Sequence, residues 1–352
     1  MEKKNLAVVG YGGMGSWHVN HALKSDCVNL LGIYDIQEAR RIAAKTAGIY
    51  AYESLEELLA DPRVELVTVA IPNDAHRDTV IRLLEAGKNV ICEKPVTTNS
   101  HDLSEMIEAA NRTGKLFTVH QNRRWDVDYL AVKALRESGQ IGPVLRVESR
   151  IHGANGIPGD WRKEKEHGGG MMLDWGVHLI DQMLGILPGK IVKVSCECTH
   201  IRFQEVDDGF YLTLTFDDGS VGTVEVGTCN YIALPRFYVQ GKNGTAIITD
   251  WREKMHVVRD LLEVPSSVGA TPVETAAGLT KTMAPRTEAT VESWDVERPE
   301  SDVHDFYRNV CRAIDGKEEQ IVTHRQVARV MRVMEAAFES DRLGAPVAFD
   351  DD

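Results

Sequence analysis

Over the first 120 residues, short apolar runs alternate with stretches of helical period. The runs at 6–9, 30–34, 64–71, 89–92 and 116–120 predict strands, and the stretches at 14–24, 36–46, 54–60, 74–86 and 100–112 predict helices. Ser54, with Glu57 three residues on, has the form of a capping box at one helix start. The strands are apolar at nearly every position, as strands covered on both faces are. Their alternation with helices predicts βαβ units around a parallel sheet.

Beyond about residue 140 the period shortens to two. Val192, Val194, Cys196 and Cys198 alternate with Lys193, Ser195, Glu197 and Thr199, and Leu212, Leu214 and Phe216 alternate with Thr213 and Thr215. Asp217-Asp218-Gly219 then reads as a hairpin turn. Segments 144–151, 221–226, 237–240 and 246–248 extend this antiparallel sheet with one buried face. The stretch 264–299 holds four of the twelve prolines and has no clear period, so it reads as a long excursion over the surface. Helical patterns return at 302–314 and 323–338. The expectation is an α/β domain followed by an α+β domain, and 352 residues suit two domains.

A formal charge of −13 argues against a nucleic-acid partner and against docking on an anionic membrane. No apolar run approaches the ~20 residues of a membrane span. Met1–Asn5 leads almost directly into a strand, with no room for a signal peptide, and the six cysteines are too scattered for a disulfide scaffold. A cytoplasmic protein is expected.

Gly10-Tyr11-Gly12-Gly13-Met14-Gly15 fits G-x-G-x-x-G directly after the first strand. Gly10 permits the tight turn, Gly12 lets a pyrophosphate approach the backbone, and Gly15 lets helix and strand pack closely. The following helix offers its free N–H groups to phosphate. Asp35 lies 20 residues after Gly15, at the end of the second strand, where a carboxylate binds ribose hydroxyls. Its charge favours NAD over NADP, although Arg40 and Arg41 one turn further keep NADP open. Ile71-Pro72-Asn73 ends the next strand and would line the same crevice.

Glu93-Lys94-Pro95 follows the fourth strand, so Lys94 would emerge at the same carboxyl edge, with Pro95 fixing the turn, as a cis peptide or otherwise. A lysine there stabilises an alkoxide that develops as hydride leaves; the plainer reading is an exposed Lys–Glu pair. Further on, Gly168-Gly169-Gly170 precedes a helix on which Asp174, His178 and Asp181 form one stripe and Met172, Gly176, Leu179, Ile180 and Met183 another. Asp174 and His178 are four apart and can hydrogen-bond, which would make a usable acid/base pair. The plainer reading is a solvated face. No ligand triad with metal-like spacing accompanies His178, so no metal is expected. Cys196 and Cys198 read as sheet core, and His18, His21 and His152 as structural histidines.

Taken together and in order, these motifs resemble the glucose–fructose oxidoreductase, inositol dehydrogenase and rhizopine-catabolism (Gfo/Idh/MocA) oxidoreductases nearly end to end. The matching residues are the glycine loop continued as Ser16-Trp17-His18, Ile71-Pro72-Asn73-Asp74-Ala75-His76, Cys92-Glu93-Lys94-Pro95, Asn122-Arg123-Arg124-Trp125-Asp126, Ile141-Gly142-Pro143-Val144, Asp160-Trp161-Arg162 and the 168–181 segment. The resemblance implies a Rossmann domain over 1–122. It also implies a substrate-binding and oligomerisation domain over 123–352, built on a large open, mainly antiparallel sheet that joins a homodimer or homotetramer. It further implies NAD(P)-linked oxidation or reduction of a ring hydroxyl on a sugar, glycoside or cyclitol. Lys94 would bind the reacting oxygen, His178 shuttle its proton and Asp174 tune the site. Arg123, Trp161 and Arg162 would face substrate, while the glycine loop, Asp35, Ile71–Asn73, His76, Glu93 and Lys94 would hold the cofactor. Two other outcomes suit the same motifs: an NAD-dependent glycosidase that oxidises transiently and recycles its cofactor, and a non-catalytic NAD and sugar sensor.

Overall fold

The computed structural model describes residues 2–159, 161–261, 271–282 and 288–351. Asp160 and parts of the 264–299 stretch lie outside the described residues.

Five short apolar strands, β1 (Lys4–Val9), β2 (Val28–Tyr34), β3 (Leu66–Val69), β4 (Asn89–Cys92) and β5 (Phe117–Val119), form a parallel sheet in the order β2-β1-β3-β4-β5. Helices α1 (Gly13–Ala22), α2 (Glu38–Thr46), α3 (Leu55–Ala60), α4 (His76–Glu85) and α5 (Ser100–Thr113) connect them. The order reverses direction beside β1, and there the carboxyl ends of β1, β3 and β4 open onto one crevice. At α3 only half of the capping box forms: the Ser54 hydroxyl accepts from the Glu57 N–H, whereas the Glu57 carboxylate accepts from the Glu53 N–H.

After α6 (Val127–Ser138) come β6 (Val144–His152), α7 (Val177–Ile186), β7 (Ile191–Thr199), β8 (Gly209–Phe216), β9 (Val221–Gly227), β10 (Phe237–Gly241), β11 (Gly244–Ile248) and β12 (Met255–Asp260). With β15 (Val291–Val296) and β16 (Val347–Ala348) these strands build a nine-stranded sheet in the order β15-β12-β11-β10-β6-β9-β8-β7-β16. Every neighbouring pair is antiparallel except β6 with β9. One face is buried: Phe210, Leu212, Leu214 and Phe216 lie in the core with Val194. Val192 departs from the expected alternation because a bulge between Ile191 and Lys193 turns it outward.

Two stretches differ from their sequence patterns. The described part of 264–299 is not structureless, since β13 (Thr271–Thr275) and β14 (Gly278–Thr282) pair as an exposed hairpin and β15 closes the sheet edge. An edge strand buries little, so β15 shows no strong alternation; the Arg259–Glu292 ion pair and a hydrogen bond between His256 and Asp295 tie it to β12 instead. Met172–Gly176 winds as a π-turn before α7, and α7 is buried on nearly all sides, so its polar stripe is not a solvated face.

Helices α8 (His304–Ile314) and α9 (His324–Leu343) return to the first sheet. The Ser100 N–H and hydroxyl donate to the Glu335 carboxylate (2.7 and 2.9 Å), and the Thr118 hydroxyl donates to the Val322 carbonyl (3.1 Å). Among the described residues no helix is long and apolar enough to cross a membrane.

Candidate active site

The glycine loop behaves as its spacing demands. Gly10 has φ +94°, and a Cβ there would lie 2.2 Å from the Ala70 carbonyl oxygen; one on Gly15 would lie 1.9 Å from the Gly10 carbonyl oxygen. Gly12 caps α1 with no side-chain bond, and a Cβ on Gly13 would meet open space, so the first-turn N–H groups face a clear approach. Met14 is exposed on that turn. These features fit a dinucleotide pyrophosphate.

Asp35 is buried beside the loop, accepting from the Tyr11 N–H (2.7 Å) and the Gln37 N–H (2.8 Å). Arg40 pairs with it at 3.3 Å and lies 3.1 Å from where a Gly12 Cβ would be, so a guanidinium overhangs the glycine loop. On the opposite wall the Asn73 amide donates to the His167 carbonyl (3.4 Å), joining the end of β3 to the second half of the chain. Ile71 and Pro72 remain partly exposed at that rim. His76, by contrast, is fully buried. Its ring nitrogens face the Ile71 carbonyl (3.0 Å) and the Pro95 and Val96 carbonyls (3.2 and 3.1 Å), so it braces two loops and offers no surface to a ligand.

The Lys94–Pro95 bond is cis, and the Lys94 ammonium reaches across to the π-turn, donating to Asp174 Oδ1 (3.0 Å) and to the Asp174 carbonyl (3.1 Å). Arg162 Nε lies 3.0 Å from Asp174 Oδ2. Burial alone would raise the Asp174 carboxyl, but the charges of Lys94 and Arg162 outweigh it and hold the carboxyl below its usual range. The expected Asp174–His178 bond is absent. The π-turn takes Asp174 out of helical register, its carboxylate serves the two cations, and His178 Nδ1 has no hydrogen-bond partner among the described residues. Burial, then the nearby Lys94 and Arg123 charges, push His178 well below the ordinary imidazole value, so it is neutral at pH 7.

The guanidinium of Arg123 sits 4.2 Å from the Trp175 ring centroid and 5.5 Å from that of Trp251. Arg236 continues the stack, 4.6 Å from Trp251 and 4.2 Å from Phe237. Trp161 carries Arg162 on its face at 4.5 Å. Lys94, Asp174, His178, Arg123 and Arg162 thus converge, with Trp161 at their margin. Asp181 does not join them; it turns to Arg124 at 2.6 Å.

Glu93 points away from the crevice. Its Oε1 accepts from His18 Nε2 (2.7 Å) and His120 Nδ1 (2.8 Å), and its Oε2 accepts from the Lys94 N–H (3.0 Å). Tyr307 on α8 completes the chain by donating to His18 Nδ1. Burial alone would raise the Glu93 carboxyl, but His120 and His18 outweigh it and hold the carboxyl well below its usual range. The three ligand-type groups His18, Glu93 and His120 lie within 4.8 Å of one another, joined by the two hydrogen bonds to Glu93 Oε1. Sequence reasoning missed His120, Tyr307, Trp251 and Arg236, since none sits in a spaced motif; each matters only through partners distant in the chain.

Burial lowers the His18 imidazole from 6.5 to about 4, against the pull of Glu93. Unfolded chains therefore bind a proton here that the folded site refuses, and stability present above pH 6.5 is lost as pH falls from 6.5 toward 4. The loss amounts to roughly 3 kcal/mol at most. Melting curves across that window should show a steep fall in Tm for the native protein. His18→Asn should show a shallower one, by about one proton in the linkage slope.

Two family models match the chain, "Oxidoreductase family, NAD-binding Rossmann fold" over residues 4–121 and "GFO/IDH/MocA C-terminal domain" over residues 129–247. The crystal structure of an NAD-binding protein from Listeria innocua superimposes with a TM-score of 0.94 at 44% identity, covering 99% of this chain and 100% of that one. A scyllo-inositol 2-dehydrogenase (NADP(+)) of Bacillus subtilis is 27% identical over 352 residues, 96% of this chain and 93% of that protein. An uncharacterized oxidoreductase of Schizosaccharomyces pombe is 37% identical over 172 residues, 48% of this chain and 47% of that protein. With a family model on each half and one fold shared along its whole length, the chain belongs to the Gfo/Idh/MocA family of NAD(P)-binding oxidoreductases.

Proposed function

We propose that the protein is an NAD-dependent dehydrogenase acting on a secondary ring alcohol of a sugar, glycoside or cyclitol. The observation that carries this reading is the Lys94 ammonium, fixed on Asp174 and near enough to the His178 imidazole for its charge to help keep that ring neutral. The inositol dehydrogenase among the relatives supports a polyol ring as the substrate class.

When bound, the nicotinamide supplies the hydride acceptor. The chain does the rest. Its glycine loop and the α1 N-terminus hold pyrophosphate, Asp35 the adenosine ribose, and the ends of β3 and β4 the wall of the crevice. Lys94 donates to the reacting oxygen and His178 takes the hydroxyl proton. Asp174 keeps Lys94 aimed, while Arg123, Arg162 and Trp161 line the approach. The negative oxygen that forms between Lys94 and His178 offsets the repulsion that otherwise keeps the imidazole neutral, so the base strengthens as it is needed. In this proposal residues 1–122 bind cofactor, and residues 123–352 bind substrate and join a homodimer or homotetramer through the large sheet.

The test is NADH formation across inositols, free hexoses and glycosides, with NAD and NADP in parallel. Reduction of NAD with one ring polyol is the expected result. Release of an aglycone with no net NADH would replace the dehydrogenase reading with cofactor-recycling cleavage. Asp35 predicts the cofactor: its charge repels a 2′-phosphate, so NAD is preferred. Asp35→Ser, with Arg40 still overhanging the loop, should shift the NADP:NAD ratio of kcat/KM about tenfold or more toward NADP.

A further inference from the structure

A cavity of about 500 Å³ lies away from the crevice, bounded by α6, α7, α9 and the turn carrying Arg124 and Trp125. Its size is that of a small-molecule site. One side is apolar, with Trp125, Leu184 and Val330. The other is rich in donors and poor in free acceptors.

Charge bookkeeping around the cavity leaves one cation over. Arg124 is held by Asp181 through Nε (2.7 Å) and Nη2 (2.6 Å), and Arg329 is held by Asp351. Lys133 also faces the cavity and has no charge or hydrogen-bond partner among the described residues. The Tyr129 hydroxyl points the same way. Tyr129 is 4% exposed, and its hydroxyl, which has no hydrogen-bond partner among the described residues, is the part of the ring left open toward the cavity. Gly185 lies against that hydroxyl, since a Cβ on it would come within 2.2 Å. An ammonium and a cavity-facing hydroxyl, neither with a protein partner, above an apolar floor, suit an anionic head on a ring.

We propose that this cavity is a second ligand site, taking a small ring compound with one phosphate or carboxylate group. The anion is held by Lys133 and Tyr129, and the ring lies against Trp125 and Leu184. The site shares its supports with the crevice. Arg124 follows Arg123, whose carbonyl accepts from the Gln182 amide (2.7 Å), and Asp181 stands three residues after His178 on α7.

Phenyl phosphate is the probe, titrated calorimetrically into the full-length protein with NAD saturating, so that the glycine loop is occupied. The expected result is binding that weakens about tenfold or more in Lys133→Gln and several-fold in Tyr129→Phe, each a loss of one hydrogen-bonded contact to an anion. Both variants should melt with the native protein, because neither removed group has a partner within it. Inorganic phosphate, lacking the ring, should bind more weakly than phenyl phosphate. Equal affinity in the native protein and both variants would overturn the proposal. So would binding that NAD abolishes, which would place the probe on the glycine loop, or no binding at about ten millimolar.

Discussion

His178→Ala should lower turnover by roughly 10²- to 10⁴-fold while leaving the affinity for NAD unchanged. The imidazole lies on α7, whereas the dinucleotide is held by the glycine loop and Asp35, so the two measurements separate. The size of the loss is that of a positioned proton acceptor. Since the residue is buried, alanine leaves a void, and His178→Asn serves as the control for packing. Both variants should lose turnover alike at unchanged fold. Turnover equal to the native rate in either would remove His178 from the chemistry.

Lys94→Met should cost about 10²- to 10³-fold in kcat, the usual effect of removing a donor from a developing oxyanion. It should also change the pH profile. Lys94 is one of two cations holding the Asp174 carboxyl low, and its charge is the largest of those depressing His178. Without it, both groups take up protons at higher pH than in the native enzyme, so the acid limb of kcat moves toward neutrality. The sign follows from the charge removed: deleting a cation makes each neighbouring site easier to protonate. A residual activity whose acid limb stays where the native one lies would show that Lys94 does not set the electrostatics of the site. Methionine keeps the stem's volume and flexibility, so a packing loss does not account for such a shift.

Much of the fold is legible in local patterns. The five buried strands are readable because a strand covered on both faces must be apolar throughout, and the glycine loop because its φ and close approaches tolerate no side chain. The second sheet declares itself through alternation along β7 and β8. Legibility fails where burial is slight, as at β15, an edge strand tethered by polar side-chain pairs. It also fails at the π-turn, where an ideal helical wheel puts Asp174 beside His178 but one wider turn hands the carboxylate to Lys94 and Arg162. Glu93 and His76 stand within motifs at the crevice edge, yet one faces two imidazoles and the other three carbonyls. Position in a motif shows where the backbone runs; side-chain partners come from other strands.

Periodicity, glycine spacing and the residues that end each parallel strand suffice to specify a dinucleotide-type α/β half and an antiparallel second half, with the glycine loop, Asp35 and Lys94 at one sheet edge. These are short-range properties, set by backbone geometry and by which positions must leave water. Which acid holds which base is not short-range. The neutral state of His178, the Lys94–Asp174–Arg162 cluster, the Trp175–Arg123–Trp251 stack and the Tyr307–His18–Glu93–His120 chain each join residues from separate elements. Their charges and orientations arise only when packing excludes water and leaves each polar group the partners that the fold happens to bring.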